Sequence, residues 1–108
     1  MTECVFCKIA NGEIPANLLA ESEHSVAFND INPLQPIHVL VVPKKHYTDV
    51  ADLIAKDEIA LLDLMKLAAQ VAGEQSTGSF RFQFNTGAEA GQTMFHAHGH
   101  ITSRTPRV

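Results

Sequence analysis

The chain has 108 residues, 45% hydrophobic and 19% charged, with 12 acidic against 8 basic side chains and a formal net charge of −4. That size predicts one domain over residues 1–108, and the negative charge excludes a general grip on DNA or RNA polymers while leaving room for a small anionic ligand. No stretch approaches the ~18 consecutive apolar residues of a membrane span, and the N-terminus lacks a basic segment followed by an apolar one, so a cytoplasmic, membrane-free protein is expected.

Cys4 and Cys7 lie too close together to staple a fold and read as metal ligands or as free thiols in a reducing compartment. A short helix is predicted from Cys4 to Ala10, closed by Asn11-Gly12. Leu18 to Glu21 and Val26 to Asp30 are apolar runs that suit two hairpin-paired strands. Pro33 and Pro36 enforce a loop, because each removes a backbone donor and biases its preceding residue away from helix. His38 to Val42 is then a strand, ended by Pro43.

A long helix is predicted from Asp57, as N-cap, to about Gln75, with Ile59, Leu62, Met65, Ala69 and Ala72 recurring at helical spacing. Leu61, Leu64, Ala68 and Val71 widen that stripe beyond what one sheet face requires, which means either deep burial or cover by a second subunit. Phe80 to Asn85 alternates as a half-buried strand. Met94 to Thr102 alternates again, with Phe95, Ala97 and Ile101 on one face and His96, His98 and His100 on the other. The sum is an α+β domain built on a mainly antiparallel five-stranded sheet.

Same-face residues of a strand lie roughly 6.5–7 Å apart, so the three histidines form a row of imidazoles around one ligand group. The row has three readings: a metal site, a nucleophile with supporting acid and base groups, or a solvated polar face. Asn85 to Thr93 is rich in small and hydroxyl residues and reads as a phosphate-facing turn, although a Gly-containing loop between strands is also ordinary hairpin chemistry. A neutral imidazole attacks phosphorus without first losing a proton, and His100, Thr93 and the Gly91 to Thr93 amides would then stabilise charge on the phosphate oxygens. That chemistry needs no catalytic metal.

His96-Ala97-His98-Gly99-His100-Ile101-Thr102 resembles the signature of the histidine triad family, three histidines alternating with mostly apolar residues. Cys4-Val5-Phe6-Cys7-Lys8-Ile9, Glu13-Ile14-Pro15, Ala27-Phe28-Asn29-Asp30-Ile31, His38, Pro43-Lys44-Lys45-His46 and Gly91-Gln92 follow in the order of its Hint-like branch, so the resemblance covers nearly the whole chain. It implies a homodimer of α+β subunits, each with one long and one or two short helices. It also implies cleavage of a phosphoramidate-type bond at the α-phosphate of a purine nucleoside monophosphate, of AMP or GMP type.

In that pattern His98 is the nucleophile and forms a nucleotidyl-histidine, His100 and His38 support it, and Asn85, Gly91, Gln92 and Thr93 hold phosphate oxygens or the leaving group. Asp30 would accept from ribose hydroxyls. Val5, Phe6, Ile14, Phe28 and Ile31 would line the base slot, with Asn29 at its edge, and Cys4, Cys7, His46 and His96 would hold a structural zinc. Two other functions compete: a Fhit-like dinucleoside polyphosphate hydrolase, and a zinc-stabilised nucleotide-binding module without turnover. Gly99, inside the triad, departs from the apolar pattern and calls for close approach of another element. The tail Thr102 to Val108 lacks the Gly-Gly usual in this branch.

Overall fold

A computed structural model describes residues 4–107; Val108, the end of the tail, lies outside them. Helix α1 (Val5–Ala10) starts because the Cys4 sulfur accepts the Cys7 amide at 3.3 Å, and Gly12, at φ +76°, turns the chain away after it. Strands β1 (Leu18–Glu21) and β2 (Ser25–Asn29) form the expected hairpin, and β3 (Ile37–Pro43) follows the proline loop. Helix α2 (Val50–Lys56) is an element that periodicity did not single out; Asp49 caps it on the Asp52 amide at 2.8 Å. Asp57 ends α2 and caps α3 (Glu58–Gln75), accepting the Ala60 amide at 3.0 Å. Strands β4 (Arg81–Phe84) and β5 (Gly99–Ser103) complete an antiparallel sheet in the order β1-β2-β3-β5-β4.

The register sorts the two faces. Ala27 pairs with Val41 and Val39 with Ile101, and these side chains pack under Leu64, Leu67, Ala68 and Val71 of α3. Val26, Phe28, Leu40 and Val42 face the other way and are covered by Phe6 of α1. His38 and His100 share that second face, since each lies two residues from, or directly opposite, Leu40. No helix among the described residues is long and apolar enough to cross a membrane.

Two expectations are corrected. The core stripe of α3 is Ala60, Leu64, Leu67, Ala68, Val71 and Ala72, so Ala72 of the expected stripe is buried, whereas Ile59, Leu62 and Met65 are 71%, 56% and 41% exposed. A helix apolar around most of its circumference leaves its buried face undetermined by period alone. The triad strand begins at Gly99 rather than Met94. Its pairing starts with Val41 on one side and Phe84 on the other, and the Ala97 amide goes instead to the Tyr47 carbonyl at 2.6 Å. Phe95, expected on one face with Ala97 and Ile101, is 50% exposed while those two are buried.

Gly99 has the close neighbours its position called for. A Cβ there would stand 2.6 Å from Cζ of Phe82 and 3.1 Å from Cζ of Phe84, whose rings lie across the strand. Gly99→Ala must push both rings aside, and chemical denaturation should show a loss of about 1–3 kcal/mol. An unchanged midpoint would mean the rings swing out at no cost.

Candidate active site and metal centre

Backbone groups fix the state of each imidazole in the site. His98 Nδ1 lies 2.8 Å from the His96 carbonyl, which can only accept, so Nδ1 carries the hydrogen and Nε2 keeps its lone pair. Nε2 has no partner among the described residues and is not sealed from solvent. His38, from β3, is 4% exposed and accepts the Leu34 amide on Nδ1 at 3.1 Å. Its hydrogen is therefore on Nε2, 3.0 Å from His100 Nδ1 and 3.4 Å from Asp30 Oδ2. His100 accepts on Nδ1 in turn and presents Nε2–H. The His98 and His100 rings stand 4.9 Å apart, and Phe6 meets His98 edge-to-face at 5.1 Å. Burial first, then the charges of His98 and His38, hold the His100 imidazole below its ordinary value, which keeps it neutral at neutral pH.

Cys4, Cys7, His46 and His96 form a second cluster, their donor atoms all within 4.8 Å of one another. His96 Nδ1 lies 3.3 Å from both sulfurs, and His46 Nδ1 lies 3.2 Å from that of Cys7. His96 Nε2 donates to the Pro43 carbonyl at 2.8 Å, which leaves the Nδ1 lone pair aimed at the sulfurs. Two sulfurs and two imidazoles around one point fit tetrahedral zinc, whose bonds of about 2.0–2.3 Å set ligand edges near these spacings. Without a cation, burial pushes the Cys7 thiol up to about 11 and the His96 imidazole down to about 4. A divalent ion held here would supply the charge that keeps both sulfurs as thiolates.

Asp30, His38 and His100 also lie within 4.8 Å of one another, but the same reasoning turns them away from metal binding. The Leu34 amide places a hydrogen on His38 Nε2, the atom that would need a free lone pair. The trio is a hydrogen-bond relay.

The loop between β4 and β5 is held open by Gly87 and Gly91, at φ +90° and +95°, conformations that favour glycine. Gln92, expected to touch substrate, is instead 3% exposed with its amide engaged inside the loop. It accepts the Gly87 amide at 2.8 Å and donates to the carbonyls of Thr48 and Met94 at 2.7 and 3.0 Å. Asn85 accepts from Gln83 at 2.9 Å and faces Gly91. Thr93 lines a cavity of about 840 Å³ shared with Cys4, Cys7, His46 and Met94.

Of the residues expected around a base, Phe6 and Phe28 are buried and meet edge-to-face at 5.7 Å. Ile14 is half-buried, Asn29 is exposed, and Val5 and Ile31 stand 47% and 91% exposed, so these side chains do not form a closed slot by themselves. Asp30 accepts the Asn32 amide on Oδ1 at 2.9 Å. The groups that motif reading missed are the Leu34 amide and the carbonyls of Pro43 and His96. They are main-chain atoms, for which a side-chain pattern carries no signal.

Residues 3–107 match the family model described as scavenger mRNA decapping enzyme C-terminal binding. A HIT-like protein of Synechocystis is 40% identical over 105 residues, covering 96% of this chain and 92% of that relative. Protein HitA of Neisseria gonorrhoeae is 39% identical over 102 residues, covering 94% and 95%. A HIT family hydrolase from Clostridium thermocellum superposes with a TM-score of 0.87 at 38% identity, over 95% of this chain and 91% of that one. A histidine triad protein from Clostridium difficile does so with a TM-score of 0.85 at 38% identity, over 100% and 99%. Fold, clustered histidines and these relatives agree: the chain belongs to the histidine triad family.

Proposed function

We propose that the protein is a nucleotide hydrolase that cleaves a phosphoramidate-type bond at the α-phosphate of a purine nucleoside monophosphate. The observation that carries this reading is the His98 tautomer: Nδ1–H tied to a carbonyl, Nε2 unpartnered and open. The Nε2 lone pair attacks phosphorus, a P–N bond forms, and the bond to the leaving amine breaks. That amine takes the electron pair and a proton from solvent, while His100 Nε2–H, which His38 backs through the relay, donates to a phosphate oxygen as charge builds there. Water then attacks the nucleotidyl-histidine, gives one proton to solvent, and frees His98 and the nucleoside monophosphate. Asn85, Thr93 and the amides of Gly91 to Thr93 offer donors to the phosphate oxygens, Gln92 holds that loop in shape, and Asp30 takes the ribose.

A zinc bound by Cys4, Cys7, His46 and His96 would supply structure rather than chemistry. It would join α1 to the segment whose His96 carbonyl anchors the nucleophile. A homodimer in the cytoplasm belongs to the same reading: Ile59, Leu62 and Met65 leave an apolar stripe on α3, and β4 leaves an open sheet edge.

The test compares an adenosine phosphoramidate with diadenosine triphosphate, on protein sized by light scattering. Faster turnover of the phosphoramidate by a particle of twice the 11.8 kDa chain is expected. A large preference for the triphosphate would move the protein to the Fhit-like branch. Binding of AMP without turnover of either compound would make it a binding module.

A further inference from the structure

The chain carries three arginines, all beyond residue 80, in a protein of net charge −4. Arg107 donates to the Gly73 carbonyl at 3.0 Å, at the C-terminal end of α3. Arg81 and Arg104 instead line a groove of about 400 Å³ with Gln35, Ser79, Thr102 and Thr105. Neither guanidinium has a carboxylate partner among the described residues, whereas Lys44 and Lys56 are paired with Glu21 and Asp52. The side chains of Gln35, Ser79 and Thr102 make no hydrogen bond to described residues, so the groove gathers two free cations and three unspent polar groups.

Register joins this groove to the histidines. Thr102 of β5 pairs with His38 on one side and with Arg81 on the other, so all three side chains share the face that carries His100. Paired strands lie about 4.8 Å apart, which makes the row from His38 to Arg81 about 10 Å across. Asp30 lies beyond the β3 side of that row, so a nucleoside held there leaves the β4 side for whatever departs from phosphorus.

The segment bearing Arg104 is held in place. Thr77 donates its amide to the Thr105 carbonyl at 3.0 Å and its hydroxyl to that of Thr105 at 2.9 Å, Ser103 Oγ donates to the Ser79 carbonyl at 2.6 Å, and the Arg107 amide donates to the Gln75 carbonyl at 2.9 Å. A braced pair of guanidiniums loses less freedom on binding than two loose side chains would.

We infer that Arg81 and Arg104 form a leaving-group subsite for an oxyanion, which makes the preferred substrate one whose departing amine carries its own negative charge. The inference rests on the nucleotidyl-transfer reading for its role in turnover, but not for the binding of the anion. Forked N–H donors match carboxylate and phosphate oxygens alike, so the chemistry required is an oxyanion a few bonds beyond the nitrogen.

Three adenosine phosphoramidates of matched length separate the cases, with propylamine, β-alanine or 2-aminoethyl phosphate as the departing amine. Wild-type protein should favour the two anionic substrates over the propylamine one by about tenfold in kcat/KM, and the preference should fade with added salt because both arginines are exposed. In the double variant R81Q/R104Q the anionic-to-neutral ratio should collapse to about one. The relative rates of the carboxylate and phosphate substrates tell which oxyanion the groove favours. A wild-type ratio near one, or a ratio that survives the double substitution, overturns the subsite.

Titration of inorganic pyrophosphate, followed in the amide NMR spectrum, reads the groove without turnover. Shifts at Ser79, Arg81, Thr102 and Arg104 that vanish in R81Q/R104Q are expected. Shifts confined to Gly91 through His98 would overturn the site. Were no phosphoramidate turned over while the groove amides still moved, the hydrolase reading would fail and the anion site would stand.

Discussion

His98→Ala is expected to abolish hydrolysis of an adenosine phosphoramidate, lowering kcat by a factor on the order of 10⁴ or more, because the attacking atom itself is removed. The fold should survive, since the His98 ring serves no core residue except Phe6, which stays packed on Phe28. Amide NMR dispersion close to that of the wild type would verify this. His98→Gly provides the complementary result: added imidazole should restore part of the rate by filling the vacated space with a free nucleophile. Wild-type enzyme quenched in acid during turnover should carry one nucleotidyl group on the peptide containing His98. An adduct on His100, or alanine protein that keeps its rate, would show that the tautomer argument selected the wrong ring.

Cys7→Ser is expected to lower the zinc content of the purified protein from about one ion per chain to near zero, as read by elemental analysis under reducing conditions. A hydroxyl in place of the thiolate removes a ligand that lies 3.2 Å from His46 and 3.3 Å from His96, and one thiolate with two imidazoles and a water holds zinc far more weakly than the full set, so that the ion is lost on purification. Binding at 100 times the dissociation constant stabilises by about 2.7 kcal/mol, so the melting temperature should fall by roughly 10 °C or more. The substitution should also slow turnover. His96 would bind the ion through Nδ1 while its carbonyl lies 2.8 Å from His98 Nδ1, so freeing the ring would loosen the nucleophile's anchor. A wild-type protein that contains no zinc and melts at the same temperature with and without a chelator would remove the metal centre from the account.

Much of the site was legible as spacing. Three histidines at every second residue and a Cys-x-x-Cys pair are chemistry written in residue type, His46 entered only through the family resemblance, and the fold brings them to two clusters that share one segment. The helix cap at Asp57 was equally plain, because a short acceptor before an apolar run has few other uses. Other features could not be read this way. Periodicity on α3 selected Ile59, Leu62 and Met65, which the fold leaves exposed, since an all-round apolar helix fits a sheet in more than one rotation. Gln92 was placed with the substrate, yet its three hydrogen bonds go to Gly87, Thr48 and Met94, contacts that exist only once the loop has closed on α2's approach. The alternating pattern of residues 94–98 looked like strand, but alternation records which way side chains point and not whether a neighbouring strand is there to pair with.

The amino-acid order by itself determined the antiparallel α+β class and supplied three alternating histidines and a Cys-x-x-Cys pair, because those follow from local period and residue type; the expected single row is not kept, since His96 turns to the cysteines while His98 and His100 stay together. Only the tertiary structure decided what each imidazole can do. A ring's lone pair is directed by whichever amide or carbonyl stands beside its other nitrogen, and those partners, the Leu34 amide, the Pro43 carbonyl and the His96 carbonyl, are main-chain atoms placed by the folding of the whole sheet.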